Sequence, residues 1–139
     1  MHTRLLIARG MPTTKTIFTN GCFDILHRGH FELLKYCHSL GHVVVGLNSS
    51  TSVKRLKGVN RPFFDEGDRE FALRSCRFVD NVIIFAEDTP LRLITELQPD
   101  IIVKGGDYNP DEVVGSNLCE VRIFNYIEGY STTKVLENQ

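Results

Sequence analysis

A chain of 139 residues with 42% hydrophobic and 24% charged residues has the length of one globular domain and enough apolar content to bury a core. Its formal net charge of −1 gives no basic excess to draw it to nucleic acid or an anionic membrane, and no apolar run approaches the roughly 18 residues of a membrane span. Cys22, Cys37, Cys76 and Cys119 are widely separated, form no C-x-x-C pair and follow no secretory leader pattern, so they are expected as reduced thiols in a cytoplasmic protein.

Residues 1–14 contain no complete periodic element and are expected to be an extension, with residues 15–139 forming the domain. The first strand-like run is "TIFTN" (Thr16 to Asn20). A helical stripe of Phe31, Leu34 and Cys37 follows, with Gly41 placed as its C-terminal cap. Next come the run "VVVGL" (Val43 to Leu47), a charged segment "SVKRLKGVNRP" read as a loop, and a second helical stripe of Ala72, Cys76 and Val79. The run "NVIIF" (Asn81 to Phe85) leads to Thr89 and Pro90, a cap and first-turn pair for a helix carrying Leu91, Ile94 and Leu97, which Pro99 ends. "DIIVK" (Asp100 to Lys104) and "EVRIF" (Glu120 to Phe124) complete five strands.

Several of these runs are apolar nearly throughout, as strands buried on both faces are. Strands alternating with helices imply right-handed crossovers. The expected fold is therefore an α/β, Rossmann-like, doubly wound parallel five-stranded sheet with helices on both faces. Ligands in such sheets bind outside the carboxyl ends of the strands, where the strand order reverses.

The stretch "NGCFDILHRGH" (Asn20 to His30) falls at that edge of the first strand. Gly21 allows close approach of the backbone to a ligand, and Gly29 stands at the start of the following helix, whose first N–H groups and dipole favour an anion. His27 and His30, three residues apart, can point into the same space. On the residues alone three uses stand side by side: a zinc site, a helix cap, and donation to phosphate oxygens. A closed zinc site needs four ligands and no neighbouring cluster supplies the rest, so no metal ligands are assigned and phosphate contact is preferred.

These residues resemble the G-x-F-D-x-x-H-x-G-H signature of the nucleotidyltransferase superfamily that includes the cytidylyltransferases. Further stretches extend the resemblance over nearly the whole chain from Thr19: "NSSTSVKRLKG", "EDTP", "LQPDIIVKGGDY" and "GYSTTKV". Together they are most similar to the adenylyltransferase domain of bifunctional heptose enzymes, without the sugar kinase domain. The resemblance implies transfer of a nucleotidyl group from ATP to heptose 1-phosphate, giving ADP-heptose and pyrophosphate, with Mg²⁺ carried by the nucleotide phosphates. The alternative is a cytidylyltransferase using CTP and glycerol phosphate or another polyol phosphate. That form often carries an arginine shortly before its S-T-T motif, which "FNYIEGYSTT" lacks. A non-catalytic nucleotide-binding module is a third possibility, disfavoured by the intact His27, His30, Lys57 and S-T-T motif.

By the same resemblance His27, His30 and Lys57 are the catalytic candidates. The nucleotide is expected against Gly21, Cys22, Phe23, Gly29 and His30, against Lys104, Gly106 and Asp107 with Gly105 permitting close approach, and against Ser131, Thr132 and Thr133. Asp24 is assigned a structural role, receiving backbone N–H groups. Cys22 is not a nucleophile, because the family transfers directly. Lys54, Lys57, Arg61 and Arg69 are the substrate-side candidates; Arg55 is expected to face water, and a surface ion pair of Arg69 with Glu66 or Glu70 is the competing use. A homodimer is also expected, since related transferases commonly associate.

Overall fold

The computed structural model describes residues 14–125 and lays five strands in one all-parallel sheet. They are β1 (Thr16–Gly21), β2 (His42–Asn48), β3 (Asn81–Phe85), β4 (Ile101–Gly105) and β5 (Glu120–Phe124). The connecting helices are α1 (Arg28–Leu40), α2 (Ser50–Lys57), α3 (Glu66–Arg74) and α4 (Leu91–Leu97), and a 3-10 turn at Pro110–Glu112 precedes β5. The spatial order β3-β2-β1-β4-β5 means that the chain winds outward from β1 to one edge, then returns to β4 and winds to the other. The expected doubly wound sheet is present, and β1 and β4 flank the reversal of strand order.

Side chains alternate across this sheet and so build two cores. Ile17, Val43, Val45, Ile101 and Val103 face one side and pack with Leu33, Leu34 and Cys37 of α1 and Leu73 of α3. Phe18, Val44 and Ile102 face the other side and pack with Leu93 and Ile94 of α4. Each central strand therefore needs apolar residues at consecutive positions, which is why the runs read as continuous rather than alternating. Gly41 closes α1 because β1 passes close by: a Cβ there would stand 2.2 Å from the Lys15 carbonyl oxygen.

Four local expectations are corrected. The segment read as a charged loop contains α2, capped by Ser49, whose Oγ accepts from the Ser52 N–H at 3.2 Å. Its Lys54, Arg55 and Lys57 lie in the last turn, where cations favour the helix dipole. The stripe Ala72, Cys76 and Val79 does not continue as one helix. Helix α3 stops at Arg74, the Ser75 hydroxyl donates to the Phe71 carbonyl, and Cys76 and Val79 reach the core from turns beyond it. Phe31 leaves the buried stripe of α1, 38% exposed, while Gly29, Leu33, Leu34 and Cys37 form it. The start of α4 is also shifted by one residue, with Pro90 at the cap position and Thr89 Oγ1 accepting from Leu91 N–H at 3.5 Å. Among the described residues no helix is long and apolar enough to cross a membrane.

Candidate active site

A cleft of about 240 Å³ opens at the carboxyl ends of β1 and β4. From β1 and the loop after it come Asn20, Gly21, Cys22, Phe23 and Asp24; His30 comes from α1, Lys57 and Arg61 from α2 and the loop beyond, and Lys104, Gly105 and Tyr108 from β4 and its exit. Three cations thus face one carboxylate, an arrangement that attracts phosphate. A neighbouring cavity of about 200 Å³ shares Asn20, Lys104 and Tyr108 with the cleft and adds Pro90, Glu112, Val113 and Val114.

The histidines are positioned by each other. His27 is the N-cap of α1 and its Nδ1 accepts from the Gly29 N–H at 3.1 Å, while His30 Nδ1 accepts from the His27 N–H at 3.2 Å. This is a reciprocal capping box made from two imidazoles. The rings lie 3.9 Å apart between centroids, and Phe23 supports His30 from 5.3 Å. Burial, then the neighbouring His27 and Lys57, lower the His30 pKa to about 4; burial also lowers that of His27. At neutral pH His30 is uncharged. Because its Nδ1 accepts, its single ring proton sits on Nε2. His30 thus brings a neutral N–H donor to the cleft and caps the helix with its other nitrogen. His27 is not among the cleft-lining residues.

The loop after β1 is held from below. Phe23 adopts a positive φ of 45° and is 5% exposed, and a Cβ on Gly21 would lie 3.2 Å from its ring. The Asp24 carboxylate accepts from Phe63 N–H at 2.9 Å and Phe64 N–H at 3.1 Å, and Arg61 Nη1 lies 4.0 Å from it. Asp24 therefore receives backbone N–H groups as expected, but those of the loop carrying Arg61 rather than of its own turn. Desolvation raises the Cys22 thiol pKa against the opposing charges of Lys57 and Arg69, so the thiol stays protonated at neutral pH.

Arg69 requires correction. Assigned to the substrate side, it is 2% exposed and binds the protein itself. Its Nε donates to the Phe64 carbonyl at 2.9 Å, its Nη1 to the carbonyls of Cys22 and Asn48 at 2.8 Å each, and its Nη2 to Ser50 Oγ at 3.3 Å. One guanidinium fastens the loop after β1, the end of β2, the start of α2 and the loop after it. The alternative ion pairs do not form either: Glu66 accepts from Ser50 N–H at 2.9 Å, and Glu70 pairs with Arg74 at 3.0 Å.

Of the other candidates, Gly29 is buried inside α1, and Lys54, Gly106 and Asp107 lie outside the cleft lining. Gly106, with φ of 116°, shapes the turn after β4. Arg55 does not simply face water: it pairs with Asp88 at 3.0 Å and donates to the Ala86 carbonyl. Ser131, Thr132 and Thr133, like residues 1–13 of the extension, fall outside the described residues. Sequence reasoning gave no role to Asn20 or Tyr108, both of which line the cleft. Their signal was position alone, at the carboxyl ends of the two strands flanking the reversal.

The described residues include no group of three or more His, Cys, Asp or Glu that could hold a metal ion. The cleft carboxylate, Asp24, accepts from two backbone N–H groups.

The cytidylyltransferase-like family model matches residues 18–138. The bifunctional protein HldE of Helicobacter pylori strain J99 is 54% identical over 125 residues, covering 88% of this chain, and that of Campylobacter concisus is 54% identical over the same share. The chain spans only about a quarter of those relatives, 27% and 26% of their lengths. A lipopolysaccharide core biosynthesis protein from Thermoplasma volcanium superposes with a TM-score of 0.69 at 27% identity, covering 85% of this chain and 99% of its own. A pantothenate synthetase from Thermus thermophilus, 17% identical with a TM-score of 0.59, shares the fold over 92% of this chain and 66% of its own.

Proposed function

The chain belongs to the cytidylyltransferase-like family, and from that premise we propose that it transfers a nucleotidyl group from a nucleoside triphosphate to a sugar phosphate, ATP and heptose 1-phosphate giving ADP-heptose. An acceptor phosphate oxygen attacks the α-phosphorus. The bond from that phosphorus to the bridging oxygen breaks, and pyrophosphate leaves with the electron pair. A phosphate nucleophile is already ionised at neutral pH, so the site needs no strong base. It needs positioning and donors aimed at developing charge.

The observation that carries this reading is the cleft at the strand-order reversal. There a neutral imidazole N–H from His30 and the cations Lys57, Arg61 and Lys104 converge beside the start of α1. These groups are assigned to the triphosphate and the acceptor phosphate. The adjoining cavity, whose own charged group is Glu112, is assigned to the uncharged part of a substrate. Mg²⁺ carried by the nucleotide phosphates would neutralise part of their charge. The name of the Thermoplasma relative fits a product that is an activated sugar for a surface polysaccharide.

The test is pyrophosphate release from ATP and from CTP, each with heptose 1-phosphate and with glycerol phosphate. Faster turnover for ATP with the heptose supports the proposal. Faster turnover for CTP with glycerol phosphate favours the cytidylyltransferase alternative.

A further inference from the structure

Lys104 and Tyr108 form the wall common to the cationic cleft and the cavity beside it. The Lys104 Nζ stands 5.1 Å from the centroid of the Tyr108 ring, within the range of a cation–π contact. The backbone between them is shaped to let the ring fold back. At Gly106, φ is 116° and a Cβ would stand 2.8 Å from Tyr108 Cε2, so a larger residue would collide with the ring. The Gly106 N–H also donates to the Phe124 carbonyl at 2.9 Å, tying this turn to the end of β5. Lysine is a point charge on a four-carbon stem with many rotamers, and a ring face restricts where that charge sits.

We infer that Tyr108 is a positioning residue for Lys104: its ring face holds the ammonium at the boundary of the two cavities, where it meets a phosphate group bound in the cleft. The inference rests on the reading of the cleft as a phosphate site. Tyr108 is 52% exposed and outside both cores, so truncating it leaves the fold intact.

The experiment measures binding of inorganic pyrophosphate by calorimetry to the wild type, Tyr108→Phe, Tyr108→Leu, Lys104→Met and the Lys104→Met/Tyr108→Leu double variant, with melting temperatures recorded for each. Tyr108→Phe keeps the ring and should bind within about twofold of wild type, whereas Tyr108→Leu should bind about three- to tenfold more weakly. In the Lys104→Met background the leucine should add less than about twofold, because the charge it positions is gone. An equal loss from Tyr108→Leu in both backgrounds, no loss at all, or a loss as large for Tyr108→Phe would each overturn the inference while leaving the phosphate site standing. A wild type that binds no pyrophosphate would overturn both.

Discussion

The two nitrogens of His30 have separate duties, and two substitutions separate them. His30→Asn places an amide oxygen near the position of Nδ1 and can still accept from the His27 N–H, now 3.2 Å from the imidazole, but it removes the Nε2 donor. His30→Lys keeps a donor in the cleft but has no acceptor for the His27 N–H, so it vacates the cap. Loss of a helix cap costs about 1 kcal/mol, or about 3–5 °C in melting temperature for a domain of this size. Loss of one preorganised donor to developing charge lowers kcat by about 10²–10³. His30→Asn should therefore melt close to wild type with kcat reduced by that factor. His30→Lys should melt about 3–5 °C lower with kcat reduced by less than about tenfold. Steady-state pyrophosphate release and thermal melts on the same preparations provide the check. Near-normal kcat in the asparagine variant, with kcat lost in the lysine variant, would show that capping is the whole role of His30 and refute its place at the phosphates.

The depressed His30 pKa also makes stability depend on pH. A histidine that titrates near 6.5 unfolded and about 4 folded binds fewer protons folded than unfolded, so stability is full above pH 6.5 and falls as pH drops towards 4. The loss should reach about 2–3 kcal/mol, read from urea midpoints between pH 7 and 4, and His30→Asn should remove that part of the slope. An unchanged slope would contradict the assignment. Replacing Arg69→Leu leaves the carbonyls of Phe64, Cys22 and Asn48 without their donor and should destabilise the fold by about 3–5 kcal/mol in urea unfolding; a change below about 1 kcal/mol would mean that the guanidinium is not a clamp. A homodimer is expected by light scattering at micromolar concentration, and a monomer mass throughout that range would dismiss it.

The strands were legible because a parallel sheet covered on both faces demands apolar residues on both, and runs such as "VVVGL" and "DIIVK" carry that demand locally. Helix α2 was not. It presents Val53 and Leu56 as its apolar residues among polar and basic ones, so its periodicity is too weak to stand out from a charged loop, although Ser49 before it and Gly58 after it were usable start and stop signals. Arg69 was misassigned for a different reason. Whether a cation meets solvent or a cage of carbonyls depends on residues 21 and 47 positions away, and no local pattern records them. His27 and His30 sit at the N-cap and N3 spacing of a capping box, so the cap was readable from sequence. What spacing could not reveal was that one nitrogen of His30 caps while the ring also lines the cleft. Tyr108 and Asn20 were likewise quoted within motifs, but their place on the cleft wall follows from β1 and β4 being neighbours in the sheet.

Nucleotidyl transfer to a sugar phosphate is tested most directly by following label from ATP carrying ³²P at the α position and, separately, at the γ position, with heptose 1-phosphate as acceptor. The expected result is α-label in a nucleotide sugar and γ-label in pyrophosphate. Appearance of γ-label in the sugar, or of α-label only in free AMP, would contradict attack of the acceptor phosphate on the α-phosphorus.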